Sequence, residues 1–143
     1  VTHFFNPVRY MRLLELIAGD ETDPGVLAEL ASFGETALGK GIVFGHDTVN
    51  FVANRIGVLG MMGLIEMAVQ GGFTVEEIDA IFGPPLGRPK SAVFRTADMV
   101  GLDTVIDVSE NCYQNLLADE LRETFKVPEV LRKVVAAGLR GDK

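Results

Sequence analysis

The sequence predicts a mainly α fold, in which a helical domain over 48–143 follows a smaller strand–helix–strand piece over 1–47. Three observations predict it. Beyond Asp47 the apolar residues recur at helical spacing between capping residues and glycine stops. Before Asp47 the apolar runs are short, bounded by Gly and Pro, and interrupted by one helical segment. At 143 residues, 48% apolar and 23% charged, the chain has the size and composition of one globular domain or slightly more.

The elements follow in order. "HFFNP" reads as a strand ended by a turn, because Pro7 removes a donor and biases Asn6 toward extended geometry. "RYMRLLELIAG" reads as a strand with Tyr10, Arg12, Leu14 and Leu16 on one face and Met11, Leu13, Glu15 and Ile17 on the other. Its Leu, Met, Arg and Glu would also suit a helix. A helix starts at Asp23-Pro24, a capping residue before a first-turn proline, and "GKGIVFGHD" follows as a strand closed by glycines.

The long run "HDTVNFVANRIGVLGMMGLIEMAVQGG" predicts a helix capped by Asp47 or Thr48 and stopped at Gly71-Gly72. Being apolar on nearly every side, it is expected at the centre of the domain. Gly57, Gly60 and Gly63 suggest a second helix in close approach. Thr74 and Glu77 form a capping box, and "GPPLGRPKSA" is stiff enough for an ordered loop. Further helices are expected from about Ser91 to Val100, over "DTVIDVSENCYQNLLADEL", and from Pro128 to Gly138.

Composition also excludes functions. A net charge of −7 gives no uniform basic field, which argues against sequence-independent nucleic-acid binding. The single cysteine, Cys112, excludes an internal disulfide framework. It fits a reducing compartment, cytoplasm or organelle matrix, and reads as a small buried side chain. Glu66 interrupts the most apolar run, so no membrane span is expected. His3 and His46 are the only histidines and no acidic cluster has ligand spacing, so no metal site is expected. No glycine-rich phosphate loop is present.

Three polar residues stand against an apolar background: His3, Glu15 and Asn54. If the first two strands pair antiparallel around a loop at 6–9, Glu15 approaches His3. A carboxylate on one imidazole nitrogen fixes the tautomer and leaves the other nitrogen to take a proton, with Asn54 orienting substrate or ring. Structural roles compete with each assignment. His3 can be a hydrogen-bonded strand-end residue, Glu15 can pair with Arg12 or Arg55, and Asn54 can be a packing amide. Arg88, Lys90 and Arg95 form either a solvated basic face or a phosphate clamp.

Taken together, "HFFNPVRYMRLLELI", "KGIVFGHDTVNFVANRIG" and "GRPKSAVFRTADMVGLDT" resemble the 3-hydroxyacyl-CoA dehydrogenase family, in the family's order and spacing, over Thr2 to Thr104. The resemblance implies a Rossmann-type NAD-binding domain followed by a helical domain with substrate contacts and a homodimer interface. It implies reversible oxidation of (S)-3-hydroxyacyl-CoA to 3-ketoacyl-CoA in fatty-acid β-oxidation. By the same resemblance His3 is the general base, Glu15 its orienting partner, Asn54 a substrate-placing residue and Asn6 a residue shaping the site. The third block is similar to longer versions fused to an enoyl-CoA hydratase unit. Because the dinucleotide fingerprint would lie before Val1, the chain is expected to be a fragment whose first 47 residues are a Rossmann remnant. NAD would then be bound mainly outside it, and the fragment would be inactive alone. A non-catalytic oligomerisation module, or a relative acting on another 3-hydroxy acid, are the alternatives.

Overall fold

The computed structural model describes residues 1–142. The chain divides into two compact units, Val1–Ala53 and Asn54–Lys143. Each is built differently, and the fold is mainly α.

The first unit contains β1 (Thr2–Phe4), β2 (Leu13–Ile17), α1 (Pro24–Thr36) and β3 (Gly41–Gly45). β2 is the central strand, antiparallel to β1 and parallel to β3, and α1 is the crossover between the parallel pair. The strand reading of "RYMRLLELIAG" therefore holds over the helical one, but the strand begins later than the segment does. The Pro7 carbonyl accepts from the amides of Tyr10 and Met11, so a turn consumes those residues and both are exposed. Leu14, Leu16 and Ile17 are buried, as a central strand covered on both faces requires. α1 starts as its sequence dictates: Asp23 Oδ1 accepts from the Gly25 amide at 2.6 Å, with proline in the first turn. It packs on the sheet at Gly34, where a Cβ would lie 2.8 Å from Ile42 Cδ1 and 3.1 Å from Leu14 Cδ2.

The helical unit contains α2 (Ala53–Gly71), α3 (Val75–Ile81), α4 (Phe94–Val100), α5 (Leu102–Asn115) and α6 (Glu129–Ala136). Short 3-10 turns lie at Pro84–Leu86 and Arg122–Phe125. Its core is a cluster of Met62, Ile65, Ala97, Leu102, Val105 and Leu131, beside a second of Leu64, Ala68, Ile78 and Val93. α2 supplies residues to both. The Thr74–Glu77 capping box forms, with the hydroxyl accepting from the Glu77 amide and the carboxylate from the Thr74 amide. Cys112 is buried, and Gly138 takes the left-handed conformation that follows α6.

Several expectations need correction. Neither Asp47 nor Thr48 caps α2. Asn50 and Phe51 have φ of 60° and 48°, which no right-handed helix tolerates, so the helix starts at Ala53. α2 is not buried all round: Ile56, Met67 and Val69 are exposed, and only one stripe enters the core. Its glycines do not admit a second helix among the described residues. A Cβ on Gly57 would meet nothing, and those on Gly60 and Gly63 would make ordinary contacts with Arg88 and Thr124 side chains.

α4 starts at Phe94 rather than Ser91, because Ala92 is left-handed at φ 48°. Asp79, at the end of α3, caps it from a distance by accepting from the amides of Val93, Phe94 and Arg95. α5 ends at Asn115 rather than continuing through Leu121. No helix among the described residues is long and apolar enough to cross a membrane, and among those residues no cluster of His, Cys, Asp and Glu could hold a metal ion.

Candidate active site

The sheet register builds the centre of the site. β1 and β2 pair so that His3 lies directly opposite Glu15. Side chains directly opposite in an antiparallel pair stand on the same face, within reach of one another. His3 Nδ1 and Glu15 Oε2 are 2.6 Å apart. The Glu15 side chain has no exposed surface, whereas His3 keeps 26% of its own. A buried carboxylate must be hydrogen-bonded to be tolerated, and Glu15 is bonded through both oxygens. Oε1 accepts from the amides of Val52 at 3.1 Å and Ala53 at 2.7 Å, at the start of α2. Those two amides, at the start of α2, satisfy the oxygen that faces away from the histidine.

The tautomer follows from that arrangement. A carboxylate only accepts, so Nδ1 carries the proton and donates it to Oε2, and Nε2 of the neutral ring carries the lone pair. In that tautomer Nε2 is the ring atom able to accept a hydrogen bond. The alternative pairing of Glu15 with arginine is overturned. Arg12 is exposed just before β2, and Arg55 is ion-paired to Asp119. In that pair the Leu121 amide, followed by the Arg55 guanidinium, holds the Asp119 carboxyl below its ordinary value of 3.8.

The other predicted residues fall elsewhere. Asn6 is exposed in the loop that leaves β1, three residues from His3, and its peptide bond to Pro7 is cis. Asn54 occupies the first turn of α2 in the helical unit and is half-buried. His46 is exposed. Of the basic run, Arg88 and Lys90 are exposed, and Arg95 pairs with Asp142 at 2.7 Å and Asp98 at 3.8 Å.

Sequence reasoning missed three parts of this centre. Two phenylalanine rings contact the imidazole: Phe5 at 4.6 Å between centroids and Phe51 at 5.6 Å. The Val52 and Ala53 amides that bind Glu15 belong to a segment whose apolar pattern reads as helix interior. Lys40 steadies the loop between β1 and β2, donating from Nζ to the carbonyls of Val8 and Met11. The one sequence signal was Asn50, a residue type that tolerates positive φ. Nothing marked Phe51, for which a left-handed backbone costs roughly 1–2 kcal/mol.

Comparison with known proteins gives two family matches. Residues 51–143 match the family described as 3-hydroxyacyl-CoA dehydrogenase, C-terminal domain, and residues 1–48 match 3-hydroxyacyl-CoA dehydrogenase, NAD binding domain. The chain is 49% identical over 142 residues to a Bacillus subtilis protein named "Probable 3-hydroxyacyl-CoA dehydrogenase", covering 99% of this chain and 18% of that protein. A Deinococcus radiodurans protein of the same name is 45% identical, with 99% of this chain and 40% of that one covered. Among solved structures, (S)-3-hydroxybutyryl-CoA dehydrogenase from Ralstonia eutropha superposes with a TM-score of 0.85 at 33% identity. The match covers 99% of this chain and 48% of that one. The chain thus spans less than half the length of each of these relatives.

Proposed function

The chain belongs to the 3-hydroxyacyl-CoA dehydrogenase family, and from that premise we propose that it supplies the proton-accepting half of an NAD-dependent dehydrogenase acting on (S)-3-hydroxyacyl-CoA. The observation that carries the reading is the His3–Glu15 pair, 2.6 Å apart, with the glutamate buried and bonded through both oxygens. Oxidising a secondary alcohol to a ketone removes a proton from oxygen and a hydride from carbon. His3 Nε2 takes the hydroxyl proton, and Glu15 stabilises the imidazolium that results. By the family resemblance, Asn54 and Asn6 are assigned to substrate contact.

NAD, when bound, supplies the hydride acceptor. The residues of this chain do not fit the whole of its site, because no glycine-rich loop is present to cradle the pyrophosphate. The chain's own contribution is to orient the substrate and hold its proton. Without the nucleotide site it is inactive alone. A further unit in the same polypeptide, such as an enoyl-CoA hydratase, is supported by the 32% identity of this chain to a Rickettsia prowazekii protein named "Putative fatty acid oxidation complex trifunctional enzyme". Fatty-acid β-oxidation is the process in which such a substrate arises. The buried, single Cys112 supports a reducing compartment, cytoplasm or organelle matrix, and the exposed apolar residues of α2 support association as a homodimer.

The test is NADH oxidation with acetoacetyl-CoA. A longer protein, made by putting this sequence in place of the matching segment of the Deinococcus radiodurans relative, is expected to turn over at about 1–10³ per second, the ordinary range for enzymes, and the 143-residue chain to give the background rate. Turnover by the isolated chain at the rate of the longer protein would overturn the division of labour. Failure of the longer protein to reduce any 3-ketoacyl-CoA would overturn the reaction.

A further inference from the structure

Phe51 is the residue at which backbone strain, the buried carboxylate and the imidazole converge. Its φ is 48°, next to Asn50 at 60°, and its amide donates to the Thr48 carbonyl at 3.1 Å. A phenylalanine holds such a conformation only where its surroundings impose it, and strain of this kind gathers at functional sites. The tight turn has two consequences within the first unit. It points the next two amides, those of Val52 and Ala53, at Glu15 Oε1. It also lays the Phe51 ring against the His3 ring, 5.6 Å between centroids with the planes inclined by 61°.

Glu15 fixes where Nδ1 sits, but one hydrogen bond leaves the ring able to swing about that contact. The position of Nε2, on the far side of the ring, then depends on packing. Phe5, at 4.6 Å and 57°, provides one wall and Phe51 the other ring contact. Edge-to-face and tilted aromatic pairs have a preferred geometry that a flexible aliphatic side chain cannot reproduce.

We propose that Phe51 is a positioning residue of the site: its left-handed turn sets the Glu15 carboxylate and its ring sets the His3 imidazole, so that Nε2 is held at one angle toward the substrate. The proposal rests on the reading of His3 as proton acceptor. It assigns Phe51 a role exercised through Glu15 and His3.

The test uses Phe51→Leu, which keeps an apolar side chain of similar reach, with Phe51→Tyr as the variant that restores a ring. In the 143-residue chain, imidazole nitrogen shifts report the His3 tautomer, and carbethoxylation reports its exposure. Phe51→Leu is expected to mix the two tautomers and speed carbethoxylation several-fold, roughly 3–10 times. Phe51→Tyr is expected to restore both. In the longer protein, Phe51→Leu is expected to lower kcat by about 10–100-fold, the scale of a small misplacement of a reacting group, with KM little changed.

Wild-type tautomer, exposure and kcat in Phe51→Leu would overturn the proposal. Should Phe51→Leu fail to fold, the wild-type chain decides: proton–proton cross-relaxation between the His3 and Phe51 rings is expected, and its absence overturns the proposal. Failure of the underlying reading looks different. There, His3→Gln leaves turnover intact whatever Phe51 does.

Discussion

Glutamine in place of Glu15 keeps the side chain's shape and reverses its hydrogen bonding toward the histidine. The Val52 and Ala53 amides still require an acceptor, so the glutamine oxygen stays with them and the NH2 faces His3 Nδ1. Nδ1 must then accept, and the proton moves to Nε2. In the 143-residue chain, nitrogen shifts are expected to show the Nδ1–H tautomer for wild type and the Nε2–H tautomer for Glu15→Gln. In the longer protein the same change is expected to lower kcat by about 10²–10⁴, since a wrong tautomer cannot take the substrate proton. An unchanged tautomer would mean that the carboxylate does not orient the ring. The His3–Glu15 pair was legible only in part: two short strands around an Asn-Pro turn allow it, but Arg12 and Arg55 stayed open as partners of Glu15 until the family resemblance selected His3. Phe51 was not legible, because its role comes from a backbone conformation that an apolar run conceals.

Among elements, those whose ends carry their own signals were read correctly. Asp23-Pro24 caps α1, Thr74–Glu77 boxes α3, and Gly138 follows α6, all through residues adjacent in sequence. Ends set by distant residues were read wrongly. α4 is capped by Asp79 from another helix, and α2 starts where Glu15, 37 residues earlier, meets the Val52 amide. The stretch after α5 is tied in the same way, by Asp119 to Arg55 of α2.

That ion pair sets a pH dependence. The Leu121 amide and the Arg55 guanidinium lower the folded-state Asp119 value below 3.8. A lowered carboxylate contributes stability that is complete above the unfolded-state value and is lost as pH falls through the folded one. Asp119→Asn is therefore expected to cost about 1–2 kcal/mol in urea unfolding near neutral pH, as for a hydrogen bond to a charged group. The difference from wild type should narrow below about pH 4. An equal difference at low and neutral pH would contradict the assignment.

At the scale of the whole molecule, the two compact units, Val1–Ala53 and Asn54–Lys143, run close to the two family matches, 1–48 and 51–143. The first carries the His3–Glu15 pair on a three-stranded sheet. The second carries Asn54 and a helical core assembled around α2. Helical content was legible from periodicity. The exposed Ile56, Met67 and Val69 were not, because hydropathy cannot distinguish a residue in this chain's core from an apolar residue on its surface.

The account turns on one nitrogen, so the most direct measurement is the single-turnover rate of hydride transfer to acetoacetyl-CoA in the longer protein, for wild type and His3→Gln. If Nε2 of His3 exchanges the substrate proton, the rate falls by about 10²–10⁴ while acetoacetyl-CoA binding is nearly unchanged. Transfer at the wild-type rate in His3→Gln would contradict the account.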